Sequence, residues 1–397
     1  MNAGEPALGW FMLSEADRSA AERYLSKLAS DGTRDELGFA PIHFAFADRF
    51  FPGTSVQHAQ LRYVFFVAWT YQELLKATAG ERFSRDRLCE IEERYSRRLM
   101  RTVPELQNSG ISGWMKYQAG ERPVVRASTI YWSALRTWLV AQPTRGGTEP
   151  PTEADLQRRW PQLATFDEGD KGLISIASIF EDLPAPPADW NRRGGQLDFA
   201  LRKAEAAYIR RLWKMTGRGL EPPLLSKLTE AGVSTESLYS SAVRAVASQA
   251  DREALVLAEQ AAALACIARG VHSALVEAKR NDDRGTTDRL HADALPRLIS
   301  EYETAALALD LGRLRQATGI DDRLARFIDL VMRWLHEKRP FEVLSKAIAT
   351  RERELKGARA YLANAKRRAD WRKGVAVPLD YRWPTVRHMI DRVREAA

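Results

Sequence analysis

The sequence is poor in cysteine and histidine and has no long stretch of period-two alternation. Only two cysteines, Cys89 and Cys266, occur in 397 residues, far apart. A disulfide framework or a zinc knuckle needs clustered cysteines, so both are excluded and a reducing cytosol is the expected compartment. Six scattered histidines give no metal-ligand spacing, so no metal and no cofactor is expected. The loops G-x-x-x-x-G-K-[ST] and G-x-G-x-x-G are absent, which removes both common phosphate cradles. H-E-x-x-H, C-x-x-C and the G-x-S-x-G elbow are missing too. The start Met1-Asn2-Ala3-Gly4-Glu5 lacks a basic region followed by an apolar run and a small-residue cleavage site, so secretion is not expected. The most apolar window, Leu255 to Val276, contains Glu259, Gln260, Arg269 and His272. A central arginine is costly in lipid, so this window reads as a buried helix and no membrane contact is expected.

With 45% hydrophobic and 28% charged residues the chain can bury a substantial core, which excludes a disordered or collagen-like chain. Apolar residues recur at helical spacing almost throughout. Leu13, Ala16, Ala20, Tyr24 and Leu28 form one such face behind the Ser14/Asp17 start. Further helices are expected over Asp35 to Phe50, from about Val56 to Ala79, and from the Ser84 cap to about Arg101. After Pro123 an aromatic helix carries Ile130, Tyr131, Ala134, Leu135 and Trp138. From Ala141 to Gly195 the texture changes, with seven of the 18 prolines and six of the 24 glycines, a density that breaks long helices. Trp160, Phe166, Ile176 and Phe180 within it still need a surface to bury against, and Gly172 to Phe180 suits a strand or a short buried helix equally. Helices resume near Leu197. A long one is expected over Ser248 to Arg280, others over Leu290 to Gln316 and Asp321 to Glu337, and a last long one from Pro340 through Ala369. In that last helix Phe341, Leu344, Ile348, Leu355, Ala358, Leu362, Ala365 and Ala369 share a stripe, and a terminal helix covers Tyr381 to Glu395. The expected fold is all-α, with an N-terminal helical domain over 1–141, a Pro/Gly-rich connector over 142–195 and a C-terminal helical bundle over 196–397.

Two near matches to nuclease motifs fail. His336-Glu337-Lys338 has the H-x-K start of a phospholipase-D-like motif, but the acidic position five beyond the lysine is Val343. Glu354-Leu355-Lys356 has an E-x-K spacing, yet on a helix residues two apart point away from each other. The turn Gly53-Thr54-Ser55 reads as the entry to a helix, where free amides and two hydroxyls suit a phosphate or carboxylate. The plainer reading is a turn followed by an N-cap. Trp69, Trp132, Trp138 and Trp213 fall on apolar helical faces and are core candidates.

Charge is distributed unevenly. Residues 351–397 carry 13 basic and six acidic side chains, leaving 47 basic and 46 acidic in residues 1–350. Lys356, Arg359, Lys366, Arg367, Arg368, Arg372 and Lys373 crowd the end of the last long helix, Arg382 follows, and Trp371, Tyr381 and Trp383 are interleaved. Such a mixture suits a nucleic-acid backbone or an acidic protein partner, while a solvated charged face is the ordinary alternative.

Several stretches together match a known pattern. They are Gly9-Trp10-Phe11-Met12-Leu13-Ser14-Glu15-Ala16-Asp17, Thr33-Arg34-Asp35-Glu36-Leu37-Gly38, and Phe46-Ala47-Asp48-Arg49-Phe50-Phe51-Pro52-Gly53-Thr54-Ser55 with Arg62-Tyr63-Val64-Phe65-Phe66-Val67. Ile130-Tyr131-Trp132, Arg353-Glu354-Leu355-Lys356-Gly357 and Leu379-Asp380-Tyr381-Arg382-Trp383 complete them. On these residues the chain resembles an uncharacterised bacterial family, domain of unknown function 6361, over nearly its whole length. The resemblance implies a bacterial cytoplasmic protein encoded in mobile or phage-defence islands beside helicase or nuclease genes, and it supplies no catalytic residues. The expected function is a non-enzymatic accessory or scaffold of a DNA-directed defence system, contacting nucleic acid or a helicase or nuclease partner. A divergent nuclease or other hydrolase with a non-contiguous site, and a protein–protein adaptor without nucleic-acid binding, are the alternatives.

Overall fold

A computed structural model describes residues 35–78, 81–103, 105–107, 109–143, 149–162, 179–180, 182–216, 221–338, 340–372 and 374–396. The chain divides into two units, Met1–Asp35 and Glu36–Ala397. The expected helix over Leu13 to Leu28 and residues 172–178 of the strand candidate lie outside the described residues. Every regular element among the described residues is helical, and no strand occurs there. The protein is all-α.

In the second unit, α1 (Ala40–Phe50) carries Pro41 in its first turn, where a missing N–H costs nothing, and buries Ile42, Phe46 and Phe50. The chain then turns through residues 51–62 before α2 (Tyr63–Ala77), whose residues from Tyr63 to Tyr71 are all buried. The sequence pattern starts this helix at Val56. Local bonds delay it: the Thr54 hydroxyl donates to the Phe51 carbonyl at 2.7 Å and the His58 amide to the Ser55 carbonyl at 3.0 Å. Helix α3 (Arg85–Met100) opens where the Ser84 hydroxyl accepts the Arg87 amide. Helices α4 (Trp114–Gln118), α5 (Ala127–Thr137) and α6 (Glu153–Arg158) follow. Rings join α5 to α2, with Tyr131 5.1 Å from Tyr63 and Trp132 4.9 Å from Tyr71.

Much of the Pro/Gly-rich stretch is bound to these helices by arginine and tryptophan donors. Arg98 donates to the carbonyls of Asp189 and Trp190, both at 2.9 Å, Trp69 to the Pro184 carbonyl at 2.8 Å, and Trp190 to the Glu73 carboxylate at 2.9 Å. The Trp190 ring packs against Phe66, Trp69 and Tyr95. One hydrophobic core therefore runs across the boundaries expected after residues 141 and 195, taking in Trp160, Trp190 and Leu197. Trp69, Trp132, Trp138 and Trp213 all lie in it.

Beyond it come α7 (Lys203–Met215), α8 (Leu224–Ala231), α9 (Ser241–Val246) and α10 (Gln249–Arg284). By length and composition α10 could cross a membrane, but 72% of its apolar window is buried inside the fold, as suits a core helix. Its start is capped by Ser248, whose hydroxyl accepts the Asp251 amide. Helix α11 (Leu290–Leu307) folds back along α10. Gly270 permits the approach, since a Cβ there would lie 3.0 Å from Leu298 Cδ1. The buried Glu277 carboxylate accepts the His291 and Ala292 amides and so satisfies the first turn of α11. The single helix expected over Leu290 to Gln316 is broken, because Asp310 caps a separate α12 (Leu311–Thr318). Then follow α13 (Asp322–Glu337), α14 (Phe341–Lys356), α15 (Ala365–Ala369) and α16 (Trp383–Glu395).

The expected long helix from Pro340 to Ala369 does not exist. Helix α14 stops at Lys356, a 3₁₀ turn covers Gly357–Arg359, and α15 starts anew at the Asn364 cap. The buried Glu352 carboxylate turns the chain, accepting the Tyr361 amide at 2.7 Å and the Leu362 amide at 2.9 Å. Gly357 makes the corner at φ +55°, ψ −128°, a region that L side chains rarely adopt. Leu355 leaves the inner stripe and is 40% exposed. A Cβ at Gly357 would meet no atom, so Gly357→Ala tests the backbone alone. It is expected to lower stability by about 1–3 kcal/mol, read from the urea midpoint. An unchanged midpoint would mean that the corner does not need glycine.

Candidate nucleic-acid interface

The break at Gly357 decides what the basic segment looks like. Instead of one cationic helix face, residues 357–372 form a compact run of turns around α15, packed on the end of α10. Arg359, Lys366, Arg367 and Arg372 are exposed there, and Lys356 is half-buried. None of these makes an ion pair with a described residue. The Arg367 guanidinium lies 5.9 Å from the Tyr361 ring centre. Lys373 lies outside the described residues.

Arg368 and Arg382 are not surface cations, and their place in the expected binding set is corrected. Arg368 is buried and grips Asp283 of α10 with two bonds, at 2.7 and 2.9 Å, while also donating to the Tyr361 carbonyl at 2.8 Å. That bidentate contact holds the Asp283 carboxyl below its ordinary range. Arg382 is buried as well, donating to Asp48 at 2.6 Å and to the Thr54 carbonyl at 2.7 Å. Both arginines fasten the C-terminal segment to distant parts of the fold.

A second buried group positions the basic turns. His272 of α10 lies 3.1 Å from Glu352. Burial alone would push the Glu352 carboxyl up, but His272 and the amides of Leu362 and Tyr361 outweigh it, and the net direction is down. The described residues between Ala369 and Tyr381 meet α10 in antiparallel order. Arg284 donates to the Ala369 carbonyl, Cys266 to the Ala376 carbonyl, Arg269 to the Val377 carbonyl, and Tyr381 back to the Ala258 carbonyl. This strap brings Lys279 and Arg284 beside the basic turns, two exposed cations that composition of the last 47 residues alone misses. Lys279 itself donates to the Leu362 carbonyl at 3.0 Å. The charged run from Lys279 to Arg284 was their only signal in the sequence.

The aromatic residues of the segment are withdrawn from solvent. Trp371, Tyr381 and Trp383 are all buried: Trp371 packs on His291 at 4.8 Å, Tyr381 beside His43 at 5.7 Å, and Trp383 on Phe51 at 5.8 Å. Tyr381 and Arg382 both have positive φ, at +50° and +67°, and this pair of left-handed residues is held by the Ala258 and Asp48 contacts. His43 faces Asp380, Arg382, Asp48 and Arg269, and burial is the largest influence drawing its pKa down.

The anion site expected at Gly53, Thr54 and Ser55 has no helix start to serve it, since α2 begins at Tyr63. Thr54 is buried, with its hydroxyl on Phe51 and its carbonyl on Arg382. The Ser55 hydroxyl accepts the Gln57 amide, and Gly53 lies against Trp138, where a Cβ would come within 2.6 Å of the indole nitrogen. The turn is a packing corner.

Glu354 and Lys356 lie on α14, so their E-x-K spacing spreads them around a helix. Burial pushes the Cys266 thiol up to about 12, which makes it a poor nucleophile. Among the described residues no group of three or more His, Cys, Asp or Glu side chains could hold a metal ion.

A family model described as "Family of unknown function (DUF6361)" matches residues 6–310. No curated protein and no solved structure matches the chain.

Proposed function

The chain belongs to the family of unknown function DUF6361, and we propose that it acts as a non-enzymatic accessory or scaffold that docks on nucleic acid through the basic turns at the end of α10. One observation carries this reading: Arg359, Lys366, Arg367 and Arg372 are gathered, exposed and without ion pairs among the described residues. Elsewhere many exposed arginines have acidic partners, such as Arg313 with Glu253 and Arg315 with Asp322. An exposed pair contributes little to stability but does neutralise local potential, and these four have no such partner among the described residues. Placement in a DNA-directed defence system beside a helicase or nuclease belongs to the same proposal and rests on the family resemblance.

Binding of labelled DNA at increasing salt tests it. Four phosphate contacts give a log–log slope of roughly −3 to −4. Changing Arg359, Lys366, Arg367 and Arg372 to Ala is expected to flatten that slope and to leave the melting temperature unmoved. Arg368 is kept, because it is buried and ties α15 to Asp283 and to the Tyr361 carbonyl. Unchanged affinity in a folded variant would return this face to ordinary solvation. Cleavage of the DNA on adding a divalent metal would favour the divergent nuclease instead.

A further inference from the structure

The basic turns combine exposed cations with hidden rings. Proteins that hold single strands pair a cationic groove with exposed aromatic side chains on which the bases stack, each worth about 1–3 kcal/mol. Here Trp371 and Tyr361 are buried under or beside the cations, and Trp383 and Tyr381 are buried in the core. The rings that the sequence interleaves with the basic residues are therefore withdrawn from any ligand. The exposed large hydrophobic side chains nearest in sequence to the basic turns, Leu355, Val375 and Val377, offer no flat ring.

Reading base edges needs a helix or ribbon able to enter a groove. The one helix here, α15, has five residues, its start is closed by Asn364, and Arg368 on it is committed to Asp283. What is left is a set of point charges on short turns, supplied by Arg359, Lys366, Arg367 and Arg372 with Lys279 and Arg284 alongside. Such a set gains most where phosphates are densest, and a duplex carries one charge per about 1.7 Å of axis. Contacts of this kind position a protein without reading sequence.

Resting on the nucleic-acid reading above, we infer that the ligand of this face is double-stranded, bound through its phosphate backbone and without sequence preference. The test uses the full chain with one labelled duplex, each of its strands alone, and a second duplex of unrelated sequence. Both duplexes are expected to bind alike and at least about fivefold more tightly than either strand. The salt slope is expected near −3.6 for the duplex and nearer −2.8 for single strands at four contacts. The variant lacking the four exposed cations should lose the duplex preference along with affinity. Tighter binding of a single strand, or strong discrimination between the two duplexes, would overturn the inference and leave the nucleic-acid reading standing. Absence of salt-sensitive binding to any of the four probes would overturn that reading itself, and the inference with it.

Discussion

Replacing Arg62 by Met is expected to destabilise the fold by about 3–5 kcal/mol, among the largest effects of any single change. Arg62 is fully buried at the start of α2 and reaches four acceptor oxygens, two on Glu205 in the first turn of α7 and two on Asp198 just before that helix. Its Nε and Nη2 bind the two oxygens of Glu205 at 3.0 and 2.9 Å, and Nη1 binds Asp198 at 2.8 Å through the carboxylate and 2.9 Å through the carbonyl. Asp198 is half exposed and would recover water, so its loss is small. Glu205 is not: its side chain is 4% exposed, and its remaining partner is the Arg202 amide at 3.0 Å. The penalty is that of a buried carboxylate without a counter-charge. Glu205→Gln in the same chain keeps an acceptor for the amide and removes the charge, so the double variant is expected to recover a large part of the loss. Chemical denaturation of the two single variants and the double variant measures this coupling. A cost below about 1 kcal/mol for Arg62→Met would show that water reaches Glu205.

Arg62 also shows where reading the sequence stops. Several helices were legible from a local signal, as at Ser84 and Ser248, whose hydroxyls accept amides three residues on, but the equally local Asp310 cap lies inside a stretch that reads as one helix. The all-α class followed from helical spacing through most of the chain. The break at Gly357 was not legible, because Leu355, Leu362 and Ala365 keep helical spacing straight through it. A buried carboxylate, Glu352, takes the Tyr361 and Leu362 amides, and only tertiary packing puts it there. The candidate site divides in the same way. Arg359, Lys366, Arg367 and Arg372 could be read as surface cations from composition. Arg368 and Arg382 look identical in sequence, yet their carboxylate partners lie 85 and 334 residues away. An arginine destined for a buried ion pair carries no local mark of it, so a run of basic residues overstates the charge that reaches the surface. The same holds for Trp371, Tyr381 and Trp383, whose spacing among the cations suggested stacking and whose burial removes it.

The pH dependence of stability is expected to hide two large opposing contributions, and single substitutions should reveal them. His58 is fully buried, stacked 4.5 Å from Tyr131 with Nε2 3.1 Å from the Ile130 carbonyl, while its Nδ1 is buried without a partner. Burial lowers its pKa from 6.5 to about 4, so it stays neutral in the fold. Between those values the unfolded chain binds a proton that the fold does not, and stability falls as pH falls, by about 3 kcal/mol across the window. Glu92 is the reverse. Buried in α3, it accepts the Ser128 amide at 2.9 Å and has Arg126 at 3.5 Å, but burial dominates and raises its pKa from 4.5 to about 7. Between those values the fold holds the extra proton, and stability falls as pH rises, again by about 3 kcal/mol. The windows overlap from about pH 4.5 to 6.5, where the two slopes nearly cancel. His58→Gln, which keeps a donor for Ile130, should leave the Glu92 slope alone, so this variant loses stability on going from acid to neutral pH. Glu92→Gln keeps an acceptor for Ser128 and should do the opposite, gaining about 3 kcal/mol relative to the parent between about pH 4.5 and 8. Urea unfolding of parent and variants at intervals across that range measures both. Profiles that stay parallel to the parent's would mean that neither group changes its proton affinity on folding, because a constant offset reports lost packing and only a change of slope reports titration.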